Sequence, residues 1–129
     1  MTQTRRGTKV WTLISPRARV LPRGGAVIES PEIRFFRDGV HATTALAREA
    51  VVDDASKDVA LRGDVVIAAH KEKTRLMTES LNYSSSDERF RTEERVVIER
   101  PDARIIGRGI EADAALTDVT IRRQETTLR

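Results

Sequence analysis

A chain of 129 residues reads as one domain, and at that length roughly two-thirds of the unfolded surface can be buried. Charged residues make up 33% and aromatics only 4%, so thinly spread Val, Ile, Leu and Ala must form the core, which suits a two-layered β structure better than a thick globule. There is no cysteine, which excludes disulfides and thiolate chemistry, and no apolar run approaches the ~20 residues of a membrane helix. The net charge of +3 is uneven: residues 1–37 hold eight Arg or Lys against two acids, and the rest is near neutral, which is not by itself a nucleic-acid footprint.

In chain order, residues 1–8 are expected to be a disordered leader or an added start, and residues 9–129 the domain. Thr8 to Ser15 alternates, with Trp11 and Leu13 on one face. Pro16 interrupts pairing, Ala18 to Leu21 continues the strand, and Pro22 to Gly25 makes a turn. Ala26–Glu29 and Glu32–Phe36 are expected as the next pair, split by Ser30-Pro31, and Asp38-Gly39 signals a hairpin. Residues 42–55 carry two patterns. Ala, Leu and Glu favour helix, with Leu46, Ala50 and Asp53 at helical spacing, whereas the repeat described next argues for strand, and strand is the reading adopted. Asp58 to Ala69 is a long strand with Leu61, Val65 and Ile67 on one face and a bulge expected at Gly63. A charged turn, His70 to Lys73, precedes strands at Thr74–Tyr83, Arg89–Arg100 and Arg104–Ala112, and Asp118–Arg122 and Thr126–Leu128 close the chain.

A repeat organises these strands. Thr78, Leu81, Tyr83, Phe90, Thr92, Val96 and Ile98 alternate about a polar turn, Ser84 to Asp87. Shifted back 31 residues, the template falls on Ala47, Ala50, Val52, Val59, Leu61, Val65 and Ile67. A further 32 back it falls on Ser15, Ala18, Val20, Val27, Glu29, Ile33 and Phe35, with Glu29 breaking the apolar set. Shifted forward 29, it falls on Gly107, Ile110, Ala112, Val119 and Ile121. A two-stranded unit cannot bury its apolar face alone, and stacked copies can. The predicted fold class is therefore all-β: a single open sheet structure of repeated antiparallel hairpins.

No catalytic constellation emerges. Gly107-Arg108-Gly109-Ile110-Glu111-Ala112 has the G-x-G-x-x-A form, but no helix is expected after it, so its glycines read as a strand bend. His41 and His70 are far apart in sequence and read as separate surface residues, so no metal site is expected and no cofactor. Serines 84–86 and the acids around them read as turn and surface residues. The aromatics Trp11, Phe35, Phe36, Tyr83 and Phe90 mostly face inward, which argues against nucleic-acid binding. Two sheets lined by small apolar residues, with no large aromatics to plug the middle, can leave a groove for acyl chains. An ordinary packed core fits the same pattern.

Four segments resemble the LptC family and its OstA-like relatives. They are Leu61-Arg62-Gly63-Asp64-Val65, Leu76-Met77-Thr78-Glu79-Ser80-Leu81-Asn82-Tyr83, Thr92 with Val96 to Ile98, and Gly107-Arg108-Gly109-Ile110-Glu111-Ala112-Asp113. They match L-x-G-x-V, L-x-T-x-x-L-x-Y, T-x-x-x-V-x-I and G-x-G-[LI]-x-A-D in order and spacing. The resemblance implies an open β-jellyroll in the periplasm. It also implies a non-enzymatic accessory of an ABC transporter, working in lipopolysaccharide transport and outer-membrane biogenesis. The lipid-facing interior it implies comprises Trp11, Leu13, Phe35, Leu61, Val65, Ile67, Leu76, Leu81, Tyr83, Phe90, Val96, Ile98, Ile105, Ile110, Val119 and Ile121. A bulge at Gly63 or Pro16 would flip part of that parity. The implied partners are lipopolysaccharide, the inner-membrane export transporter at the N-terminal edge and an LptA-like bridge protein at the C-terminal edge. Edge stacking also permits a homo-oligomer. The family normally begins with a single inner-membrane helix that is not read in this sequence, so the expectation is a natural form anchored by a helix absent from this chain, with a soluble relative closer to the LptA-like bridge proteins as the other reading. A β scaffold that assembles through its edges without lipid is the alternative.

Overall fold

The computed structural model describes residues 2–5 and 8–128, which form twelve strands and no helix. Seven are short: β1 (Thr2–Arg5), β2 (Thr8–Ile14), β3 (Arg17–Val20), β4 (Ala26–Glu29), β5 (Glu32–Arg37), β6 (Val40–Leu46) and β7 (Glu49–Val52). Five are long: β8 (Val59–Ala69), β9 (Thr74–Ser84), β10 (Arg89–Arg100), β11 (Ala103–Asp113) and β12 (Val119–Leu128). Every pairing is antiparallel, and β8 to β12 form a continuous meander.

The long strands break register near their middles, between Arg62 and Val65, Arg91 and Val96, and Ile106 and Gly107. Shorter strands interrupt at matching places. The Ser30 N–H donates to the Arg48 carbonyl (2.8 Å), and the Arg48 N–H donates to the Gly63 carbonyl (2.9 Å). These breaks line up into a crease. On one side of it β3, β4 and β7 pair in turn with residues 59–62 of β8. On the other, β1, β2, β5 and β6 lead to residues 66–69 of the same strand.

The sheet folds on itself along that crease. Phe35 on β5 and Phe90 on β10 are four strands apart, about 19 Å in a flat sheet at about 4.8 Å per strand. Their ring centroids are nonetheless 5.0 Å apart. The two halves therefore face each other as a jellyroll, and their inner faces form one buried cluster. Where β10 bulges, buried polar groups are satisfied locally: the Thr78 hydroxyl donates to the Arg95 carbonyl (2.9 Å), and the Glu94 N–H donates to the Thr92 hydroxyl (3.1 Å).

Three expectations are corrected. The stretch read as a disordered leader carries β1, whose residues Thr2 to Arg5 pair with β2; Met1, Arg6 and Gly7 lie outside the described residues. This strand is held by its backbone ladder, and its Thr-rich polar sequence gave no apolar alternation to reveal it. Next, Ala26–Glu29 and Glu32–Phe36 are not partners: β4 pairs with β3 and β7, and β5 with β2 and β6, in opposite halves. Finally, β4 has the opposite parity to the repeat. Val20 pairs with Ala26 across a five-residue turn, 21–25, whereas Val52–Val59, Tyr83–Phe90 and Ala112–Val119 each span six. Ala26 and Ile28 are buried, and Val27 and Glu29 face outward. Register in a half-buried strand is set by what must be buried, and a carboxylate inside would cost far more than the shorter turn. Within residues 42–55, residues 42–46 lie in β6 and Glu49–Val52 form β7, with Ala47-Arg48 between them and no helix, so strand is the outcome the repeat favoured over the local helix signal.

Candidate functional site

The interior is built in rows, because antiparallel partners point the same way. One row runs Leu13, Ile33, Ala45, Ile67, Leu76, Ile98, Ile105; another runs Val20, Ala26, Val52, Val59, Tyr83, Phe90, Ala112, Val119. Among the residues read from sequence as interior, Trp11, Phe35, Leu61, Val65, Ile67, Leu76, Leu81, Tyr83, Phe90, Val96, Ile98 and Ile110 have at most 1% of their surface exposed. Leu13 is buried, and Ile105, Val119 and Ile121 are half-buried against the cluster.

The sequence reading missed others. Ile28 lay on the wrong side of its parity, Val10 sits beside the bulge between Gln3 and Thr4, and Leu116 lies in a turn, where no period marks it. Ile33, Val52 and Val59 were visible in the repeat and complete the same rows.

The middle is filled. Phe35 packs against Tyr83 (4.7 Å) and Phe90 (5.0 Å), and these two pack against each other (5.3 Å) in tilted and edge-on geometry. The expectation of an unplugged middle is thereby corrected: few aromatics suffice because the fold brings three of them together. Trp11 is fully buried, and its indole Nε1 finds no hydrogen-bond partner among the described residues.

Open space lies at the margins. A cleft of about 590 Å³ runs between the β5–β6 and β8–β9 turns and the β11–β12 turn, lined by Arg37, His41, Lys71, Ala115 and Thr117 among others. One of about 370 Å³ lies by the turns of the other half, near Leu21, Val52, Val59 and Tyr83. On β3, Ala18 and Val20 pair with the buried Ile28 and Ala26 yet stay exposed, Val20 by 79%. Inward-facing apolar surface is thus uncovered at that edge.

Several outer-face charges are paired. Arg91 bridges Asp87 and Glu111 (2.7 Å to Glu111), and Arg122 meets Glu93 (2.7 Å). The bond from Arg91 holds the Asp87 carboxyl below its ordinary range. Burial alone would raise Asp113, but the Asp118 N–H, the Thr117 hydroxyl and N–H, and the Arg37 guanidinium outweigh it and lower its pKa. The two histidines, read as far apart, stand with ring centroids 4.8 Å apart, each Nε2 3.0 Å from the Thr44 hydroxyl. No group of three or more His, Asp or Glu side chains gathers around a common point among the described residues. Gly107, the first glycine of G-x-G-x-x-A, sits where a Cβ would come 2.5 Å from Ile121 Cγ2, a strand-contact role.

Among the described residues the sheet has open edges: β1 pairs only with β2, β3 only with β4, and β12 only with β11. A sheet creased into two facing layers, apolar inside and unpaired at its ends, defines the open β-jellyroll class. A family model described as lipopolysaccharide-assembly, LptC-related matches residues 1–128, and the chain belongs to that family. Its fold is similar to that in the crystal structure of LptH, the LptA-homologous periplasmic component of the lipopolysaccharide transport device of Pseudomonas aeruginosa. The TM-score is 0.69 at 14% identity, covering 88% of this chain and 82% of that one. No curated protein matches the sequence.

Proposed function

We propose that the chain is a non-enzymatic bridge module of lipopolysaccharide export in the periplasm, holding acyl chains between the halves of its jellyroll and pairing edge to edge with its neighbours. The observation that carries this reading is the single apolar cluster shared by both inner faces, with a few buried threonines among it, in a member of the lipopolysaccharide-assembly family. The unpaired edges support the assembly part, because an exposed strand offers its backbone groups to another chain. The N-terminal edge would meet the inner-membrane transporter and the β12 edge an LptA-like bridge protein, or another copy of this chain.

The test is site-specific photocrosslinking to purified lipopolysaccharide, with the probe placed in turn at Phe90, Ile98, Arg91 and Val97 and folding checked by circular dichroism. Labelling at Phe90 and Ile98, and not at Arg91 or Val97, is the expected result. The packed aromatic centre favours a second reading, a scaffold that assembles through its edges and carries no lipid. Labelling at none of the four positions would leave that scaffold and remove the carrier.

A further inference from the structure

Most turns of the half that contains β3, β4 and β7 are polar and exposed, as in Pro22 to Gly25 and Asp53 to Ser56. The β11–β12 turn differs: its sequence is Asp113-Ala114-Ala115-Leu116-Thr117-Asp118, and Ala115 and Leu116 are buried. Leu116 belongs to the central cluster at 1% exposure while its backbone sits at φ 57°, a region that leucine rarely adopts. Such a conformation persists only where its surroundings hold it.

The surroundings are specific. From the opposite half, the Thr43 hydroxyl donates to the Ala114 carbonyl, and Arg37 Nη1 donates to Asp113 Oδ2 and Thr117 Oγ1, both at 3.2 Å. Asp113 organises the turn internally, accepting from the Thr117 and Asp118 N–H groups (2.8 and 2.9 Å) and the Thr117 hydroxyl (2.6 Å). These cross-half bonds span the side opposite the crease.

We infer that residues 113–118 form a latch over the apolar interior, fastened to Arg37 and Thr43, and that its release admits an acyl chain where Leu116 now sits. The inference rests on the carrier reading above. Three cross-half hydrogen bonds, the Arg89–Asp118 ion pair (3.3 Å) and the buried Ala115 and Leu116 hold this turn, whereas each β8–β12 pairing is a ladder of backbone bonds, so the turn is the easier place to open. The cleft just outside it, with Arg37, His41 and Lys71 at its border and Asp38 and Glu72 beside them, gives an anionic headgroup a place in water while its chain goes in. A leaving Leu116 relieves its own backbone, and the incoming chain refills the apolar space.

The chain has no cysteine, so the latch can be locked selectively. An Arg37→Cys/Asp113→Cys variant is compared before and after joining by a short bis-maleimide, with the photoprobe at Ile98 and purified lipopolysaccharide as ligand. Linking is expected to cut labelling on the order of tenfold or more, and the unlinked variant, which lacks the Arg37–Asp113 bond, should label at least as fast as wild type. Equal labelling before and after linking overturns the latch while leaving the carrier intact. No labelling in wild type or in either form overturns the carrier reading, and the latch with it. A lipid-free check uses hydrogen exchange: the Thr117 and Asp118 amides should exchange by local opening, at least tenfold faster than those at the centre of β9. Exchange of both sets at one common rate would also overturn the latch.

Discussion

Gly63 marks the point where β8 leaves one half of the sheet for the other. Its φ is +82°, and an added Cβ would stand 2.9 Å from the Cβ of Arg48, whose N–H donates to the Gly63 carbonyl. Gly39, in the β5–β6 turn, has a similar φ of +79° but nothing within 4 Å. Gly63→Ala is therefore expected to cost roughly 2–3 kcal/mol and Gly39→Ala roughly 1 kcal/mol in urea unfolding, the difference reporting the close approach rather than the dihedral. The histidine pair is a second residue-scale device. Burial, the His70 ring and Arg34 lower the His41 pKa below its ordinary 6.5, against the opposing Thr43 backbone and Glu32. The fold thus prefers the neutral ring. Its contribution to stability is full above pH 6.5 and is lost as pH falls from there through the lower folded-state value. The Tm is expected to drop between pH 7.5 and pH 5, and His41→Asn should flatten that drop. An unchanged slope in the variant would assign the effect elsewhere.

At the scale of elements, β4 separates what periodicity reveals from what it does not. Ile28→Ala is expected to cost about 2–4 kcal/mol and Val27→Ala less than about 1 kcal/mol, by denaturant midpoints at constant slope. The reverse order would restore the parity read from the repeat. The strands in residues 42–55 were legible only through that repeat, because their local composition favours helix and tertiary pairing overrides it. The inward rows of β8 to β10 were legible because inward residues alternate on each side of the mid-strand bulges, as Thr74, Leu76 and Thr78 and then Leu81 and Tyr83 do on β9. Three features were not. The histidine pair joins residues 29 positions apart through strand pairing, β1 carries no apolar pattern, and Leu116 enters the core from a turn. In each case the deciding contact is made by the folded sheet, and no local rule encodes it.

For the whole molecule, the crease matters most. It turns one sheet into two facing layers, lets few aromatics fill the centre, and leaves both ends of the sheet unpaired. The continuity of β8 across the crease has a consequence for time as well as space. Strands β8 to β12 pair with their sequence neighbours, so that meander can form by short hairpin closures. The first seven strands interleave instead: Trp11 waits for Phe35 and Ala26 for Val52, and neither half can dock until β8 exists to receive β6 and β7. The segment synthesised first is thus consolidated last. During that interval residues 10–52 expose paired-strand edges and apolar side chains, and a nascent or exported chain needs protection there until Val59 to Ala69 arrives to template it.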